Sequence, residues 1–303
     1  MSVAAQQTQS AEAPKLGRGY SIPIPGLHSR WGYWALPALL TLIFTFAFPV
    51  IYMAAQSLMT FTGPGQSSGP LTLKNFQVFL SDPHYLFVLL NTFFLGLTVV
   101  TICAIIGYPV AYFFARTQSR WRGLMIFCVL GPLLVSGVIR NLGWVPMLGT
   151  NGFVNWTLLQ LGIVSEPLRL INNFTGVVIG TTHALLPFMI LMLMTVIQRI
   201  HPSLEEAAAN LGANAWSRFW RVIFPLSLPG LLAGYLIVFT LAISYYTTPA
   251  MLGGNRVLLM STFIAQQVRF VLNYPFGATS AVVLMILAIV ITVIASRMTE
   301  RKA

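Results

Sequence analysis

The chain has 303 residues, of which 56% are hydrophobic and only 8% charged, with 17 Lys and Arg against 6 Asp and Glu and a formal net charge of +11. A soluble domain carries about 25% charge, so this composition excludes a water-solvated globular protein and makes lipid the consistent solvent. The basic excess also excludes a nucleic-acid binder, because the Lys and Arg lie between hydrophobic runs instead of forming one patch or stripe.

In chain order, residues 1–30 are rich in Gln, Ser, Ala and Pro. They lack the apolar core of a secretory signal and read as a disordered tail. The first apolar run is entered through Trp31, Tyr33 and Trp34, an interfacial aromatic cluster. A bilayer core needs about 20 residues of helix. Stretches of that order lie at about 34–53, 86–115, 123–144 (with Arg140 near its end), 175–198, 229–252 and 277–296. The expected fold is therefore all-α, an integral membrane domain of six transmembrane helices over 31–297, with a short tail at 298–303. Two intervening segments are long, Gln56 to Tyr85 and Val145 to Leu170. Within the second, Asn155 to Gly162 reads either as a short interfacial helix or as a plain polar loop.

Lys and Arg set the orientation. With the N-terminus inside, the inner segments hold Lys15, Arg18, Arg30, Arg116, Arg120, Arg122, Arg199, Arg218, Arg221, Arg297, Arg301 and Lys302, which is twelve. The outer segments hold Lys74, Arg140, Arg169, Arg256 and Arg269, which is five. This predicts a multi-pass protein with both termini cytoplasmic. Cys103 and Cys128 lack metal or redox spacing and read as two small packed hydrophobes. The glycosylation patterns at Asn155 and Asn173 are short enough to arise by chance.

The segment 199–229, between the fourth and fifth spans, carries most of the functional information. Ser203 followed by Glu206 reads as a capping box. Ala207, Ala208 and Ala209 favour helix, and Gly212 is a natural stop. Pro225 and Pro229 are expected to break the chain before the fifth span. A helix this short is marginal alone and needs a partner. Its alanines permit close approach, and its carboxylate offers a charge for an Arg. Those are the properties of a docking knob.

Glu206-Ala207-Ala208, then Gly212, Phe219, Ile223 and Pro225, resembles the EAA loop of ABC importer permeases. Gly107-Tyr-Pro-Val-Ala-Tyr-Phe-Phe-Ala-Arg116 and Thr248-Pro-Ala-Met-Leu-Gly-Gly254 resemble the spermidine/putrescine branch of that family. The resemblance implies the type I importer permease fold in a bacterial inner membrane. Glu206, Ala207, Ala208, Gly212 and Phe219 would couple to a separate cytoplasmic ATPase. It further implies a second permease subunit (a homologous but different chain), two ATPase copies and a periplasmic or extracellular solute-binding protein. No cofactor is expected on this chain, since ATP and Mg would sit on the ATPase. The implied cargo is a small polar solute of the polyamine kind, with an amino-acid-like, zwitterionic or anionic solute left open.

The residue inventory agrees with a non-enzymatic subunit. The lysines are Lys15, Lys74 and Lys302, and no phosphate-binding loop occurs. The acids are Glu12, Asp82, Glu166, Glu205, Glu206 and Glu300, none in an expected span. That weighs against a proton- or sodium-coupled carrier, the second reading, because such carriers place ionisable groups in the membrane. Candidate path residues are Arg140, Trp144 and His183, with the polar patch Tyr245, Tyr246, Thr247 and Thr248. Relatives in the polyamine branch often carry an Asp just before the Thr-Pro, where this chain has Tyr246-Thr247. Acids for a polycation would then come from the partner permease.

Overall fold

The structure is a computed structural model that describes residues 31–300. The expected N-terminal tail, with Lys15, Arg18 and Arg30, and the terminal Arg301 and Lys302 lie outside the described residues. The chain divides after Val50 into two compact units. In the first, the described residues belong to α1 (Trp31–Ser57), where Thr41 and Thr45 donate their hydroxyls to backbone carbonyls four residues back, at 2.8 and 2.7 Å. That back-bonding hides polar groups in an otherwise apolar helix.

The second unit begins with the last turns of α1, followed by a small antiparallel hairpin, β1 (Phe61–Gly63) and β2 (Gln66–Ser67), and α2 (Lys74–Ser81). Long helices follow: α3 (Pro83–Arg116), α4 (Arg122–Leu134), α5 (Gly137–Leu148) and α6 (Phe153–Gln160), then α7 (Phe174–Arg199). Two short helices, α8 (Pro202–Asn210) and α9 (Ala215–Arg218), lead through a wide π turn, Phe219–Ile223, into α10 (Phe224–Ser244). The chain closes with α11 (Met260–Gln266) and α12 (Tyr274–Glu300).

The core forms where α3, α7 and α10 pack together. Small residues let their backbones approach, since helices in lipid associate through close packing. A Cβ on Gly96 of α3 would come within 2.8 Å of Phe239 and Ile243 of α10, and one on Gly230 within 2.6 Å of Val196 of α7. Buried polar groups add fixed links. Thr92 of α3 accepts from the Met260 N–H at 2.8 Å, and Thr279 of α12 donates to the Ser57 carbonyl at 3.0 Å.

Among the described residues, five helices are long and apolar enough to cross a membrane, and six if a bent pair counts as one span. The bent pair corrects the expected straight helix at 123–144. Arg122–Leu134 and Gly137–Gln160 meet at 97° across an extended Val135 and Ser136. Gly131, Pro132 and Gly137 around the break are poor helix formers, and Pro132 also lacks a backbone donor. The fifth span differs in the other direction. Pro225 and Pro229 do not break the chain before it, because Pro225 sits at the start of α10 and the π turn ahead of it widens the backbone. Instead α10 ends at Ser244, eight residues before the expected limit of 252, and turns helical again at Thr247. The α6 helix occupies the segment for which the sequence left helix and loop open. Cys103 is buried, but Cys128 is exposed on α4, so only the first is a packed hydrophobe. Asn155 and Asn173 are structural. Asn155 is buried and staples its loop through Gly149 and Leu168, while Asn173 caps α7 by accepting from Gly176 at 2.9 Å.

The Gly96 contact gives a direct test. Gly96→Val should lower the thermal stability of the detergent-purified protein by about 1–3 kcal/mol through overpacking. Gly123→Ala, at a helical glycine with open space around it, should not. Equal unfolding midpoints for the two variants would contradict the packing.

Candidate functional site

The segment after α7 folds as two short helices around a tight turn. Its first cap lies two residues earlier than the sequence rule placed it. Pro202 takes the first helical position, where a fixed φ and a missing N–H suit it, so His201 becomes the cap. The His201 ring accepts from the Ser203 N–H at 3.3 Å and bonds its hydroxyl at 2.7 Å. Ser203 and Glu206 therefore form no capping box. At the other end the Gly212 N–H donates to Ala209 at 2.9 Å and the Ala213 N–H to Ala208 at 3.0 Å. This is a Schellman closure, with Gly212 at φ +85°, a conformation only glycine adopts without strain. Asn214 then caps α9 by accepting from Ser217 at 2.8 Å.

The two faces of α8 differ. Glu206 and Ala207 are exposed, and Leu211 beyond them is 89% exposed. Ala208 is half-buried and borders a cleft of about 400 Å³ with Gly212, Asn214, Ser217 and Arg221. Phe219 points into the protein, with ring centroids 5.2 Å from Tyr108 and 5.1 Å from Trp220. Tyr108 is itself bonded to Ser227 at 2.5 Å. Of the residues expected to couple, Glu206 and Ala207 thus form an outward surface, Ala208 lines its edge, Gly212 sets the turn and Phe219 anchors the segment.

The sequence reading singled out Glu206 and passed over its neighbour. Glu205 faces inward, 2.6 Å from the Arg116 guanidinium at the end of α3, and Tyr112 donates to its other oxygen at 2.8 Å. The signal was available in the helical period, since Glu205 shares the inward face with Ala208. The partner on α3, however, lies 89 residues away in sequence, too far for any local rule.

A second polar cluster lies where α5, α7 and the end of α10 meet. Tyr245 is extended rather than helical, at φ −72° and ψ 120°. Pro249 explains the break, because it has no N–H for the Tyr245 carbonyl and its ring would clash with that oxygen in a continuous helix. Ser261 supplies the missing donor at 2.9 Å. Arg140 donates to the Tyr245 hydroxyl at 2.5 Å and to the Pro132 carbonyl at 2.6 Å. Fully buried Thr248 donates to fully buried Asn141 at 3.1 Å, and the Trp144 indole donates to His183 at 3.2 Å.

The structure therefore joins Arg140, Trp144, His183, Tyr245 and Thr248 with Asn141. Tyr246 is not with them. It turns to a separate cavity of about 890 Å³ lined by His84, Tyr85, Thr262, Gln266 and Phe270, and the Arg269 guanidinium lies 5.6 Å from its ring centre. Thr247 is half-buried near Gly137.

The family model of the binding-protein-dependent transport system inner membrane component matches residues 85–303. The chain is 36% identical over 264 residues to the spermidine/putrescine transport system permease protein PotB of Haemophilus influenzae, covering 86% of this chain and 92% of that protein. It is 35% identical over 215 residues to the protein of the same name from Escherichia coli, covering 71% of this chain and 78% of that one. Its fold is similar to a chain of the bacterial alginate ABC transporter crystallised with an alginate pentasaccharide-bound periplasmic protein. There the TM-score is 0.74 at 17% identity, over 91% of this chain and 96% of the other.

The Asn141–Thr248 pair can be tested by deletion. Thr248→Val keeps the shape but leaves the buried amide oxygen without its donor, a loss of about 1–3 kcal/mol. Replacing both partners, with Asn141→Leu added, should recover part of that stability in thermal unfolding. A Thr248→Val protein as stable as wild type would remove the bond from the account.

Proposed function

Because the chain belongs to the binding-protein-dependent transport system inner membrane component family, we propose that it forms half of the path by which an ATP-driven importer takes up polyamines of the spermidine/putrescine type. The chain is a non-enzymatic permease subunit of the ABC importer class, and ATP is hydrolysed on a separate subunit. What the proposal adds is the cargo, the docking residues and the orientation.

The observation that carries the cargo is the 36% identity to a spermidine/putrescine permease over most of both chains. Chemistry supports it in part. Tyr246 already holds a cation, Arg269, over its ring, and an aromatic face attracts an organic ammonium by about 0.5–2 kcal/mol. Carboxylates for a polycation come from the second permease subunit, a homologous but different chain. One observation favours a second reading: Arg140 puts a fixed positive charge beside Tyr245, which suits a zwitterionic or anionic solute. Accumulation of labelled spermidine by cells carrying the whole importer supports the first reading. Uptake that a polyamine excess fails to inhibit supports the second.

Docking rests on α8. Its exposed Glu206 and Ala207, its half-buried Ala208 and the fixed turn at Gly212 present a small-residue knob to one of two ATPase copies, which carry ATP and Mg. The orientation rests on the same end of the molecule. The ends of α3 and α7 and all of α8 lie together, and Arg116, Arg199, Arg218 and Arg221 are concentrated there. That end faces the cytoplasm by the positive-inside rule. A solute-binding protein delivers cargo to the opposite end.

Two outcomes are expected. Ala207→Asp adds volume and a charge to the contact, costing about 1–3 kcal/mol for overpacking and more for the charge. At about 1.4 kcal/mol per tenfold, ATPase copurification should fall a hundredfold or more. Full uptake by that variant would withdraw α8 as the docking site. Cysteine introduced by Asn214→Cys in a cysteine-free background should react only with reagents that enter the cytoplasm. Labelling from outside intact cells would invert the topology.

A further inference from the structure

We propose that Arg116, Tyr112 and Glu205 form a clamp that makes α8 and the end of α3 move as one body, so that Glu205 is a positioning residue for transport and not part of the ATPase contact. The proposal rests on the reading of α8 as the docking helix.

Three observations support it. First, Arg116–Glu205 is the one ion pair among the described residues, and its side chains are only 19% and 13% exposed. Both carboxylate oxygens have a partner, one in an ion pair with Arg116 at 2.6 Å and one in a hydrogen bond from the Tyr112 hydroxyl at 2.8 Å. Second, each charge also suits its own helix. Arg116 lies in the last turn of α3 and Glu205 in the first turn of α8, where the helix dipoles favour a cation and an anion respectively.

Third, the covalent route into α8 runs from α7 through two extended residues, Ile200 and His201, and α8 packs on α9 and the π turn that follow it. The clamp adds a direct tie from α8 to α3, the span packed against both α7 and α10. A displacement of α8 by the ATPase then acts on the core of the subunit. The neighbouring Glu206 points away from the clamp and stays free for docking.

The clamp predicts a distance that does not change. Spin labels are placed at Asn210→Cys on α8 and Thr117→Cys at the end of α3, in a cysteine-free whole importer with its ATPase bound. Their separation should be the same without nucleotide and with ATP plus vanadate. Glu205→Gln keeps an acceptor for Tyr112 but removes the ion pair. It should copurify the ATPase normally, yet its label distance should shift or broaden on nucleotide binding, and uptake per ATP should fall about tenfold. The reversed pair, Glu205→Arg with Arg116→Glu, should restore part of the fixed distance, whereas Arg116→Glu alone should not. If Glu205→Gln disturbs insertion, Tyr112→Phe removes only one oxygen's donor and should broaden the distance more mildly.

An unchanged distance in Glu205→Gln, or in Tyr112→Phe where that variant replaces it, overturns the clamp. Loss of ATPase copurification by Glu205→Gln as severe as that of Ala207→Asp also overturns it, by assigning Glu205 to the docking face. Failure of the docking reading looks different, since Ala207→Asp would then transport normally.

Discussion

A carbonyl released by a helix break inside a bilayer has no water to bond, so the protein itself must supply a donor. The arrangement around α5 and α10 follows from that constraint. At the first break the Pro132 carbonyl is bonded by Arg140, and at the second the Tyr245 carbonyl is bonded by Ser261. Arg140 also reaches the Tyr245 hydroxyl, so one side chain closes the first break and ties it to the second. An arginine near the end of a span is costly where its donors have no partner. Here its guanidinium is held between a backbone oxygen and a phenol, which accounts for its presence whatever the cargo.

The same constraint explains why the polar residues of the broken region divide into two groups. Where the backbone is extended, successive side chains point to opposite sides. Tyr245 therefore turns to Arg140 and Tyr246 to the cavity beside Arg269. A continuous helix would have set these two tyrosines about 100° apart on neighbouring faces of one cylinder. The break lets a single short stretch furnish both a structural contact and a cavity wall.

Much of the fold was legible because lipid leaves a plain record. Charge-free runs of helical length mark α3, α7 and α12 within a few residues of their observed ends. The breaks were harder to read, since hydropathy is blind to backbone direction. Pro132 and Pro249 mark real breaks, while Pro225 starts α10 and Pro229 sits inside it without breaking it. What separates them is the surroundings: a π turn precedes Pro225, and Ser261 compensates Pro249 from 12 residues away. The α8 helix was legible from its alanines and Gly212, whose φ is +85°. Its inward partner was not, because the Arg116 contact exists only once α3 and α8 are placed side by side.

The distribution of charge also says how force can travel through this subunit. Helices in contact through apolar faces are held by close packing, with no charge to be left unpaired. A two-oxygen carboxylate held by a guanidinium and a phenol does not slide, because any displacement leaves a half-buried charge with fewer partners. The sequence spends almost no acids in or near the membrane, yet it places Glu205 where α8 meets α3. The core above it meets through glycines, aliphatic and aromatic side chains and a few buried neutral hydrogen bonds such as Tyr108–Ser227. The ion pair thus stands apart, joining α8 to α3 by charge where the spans are joined by neutral packing.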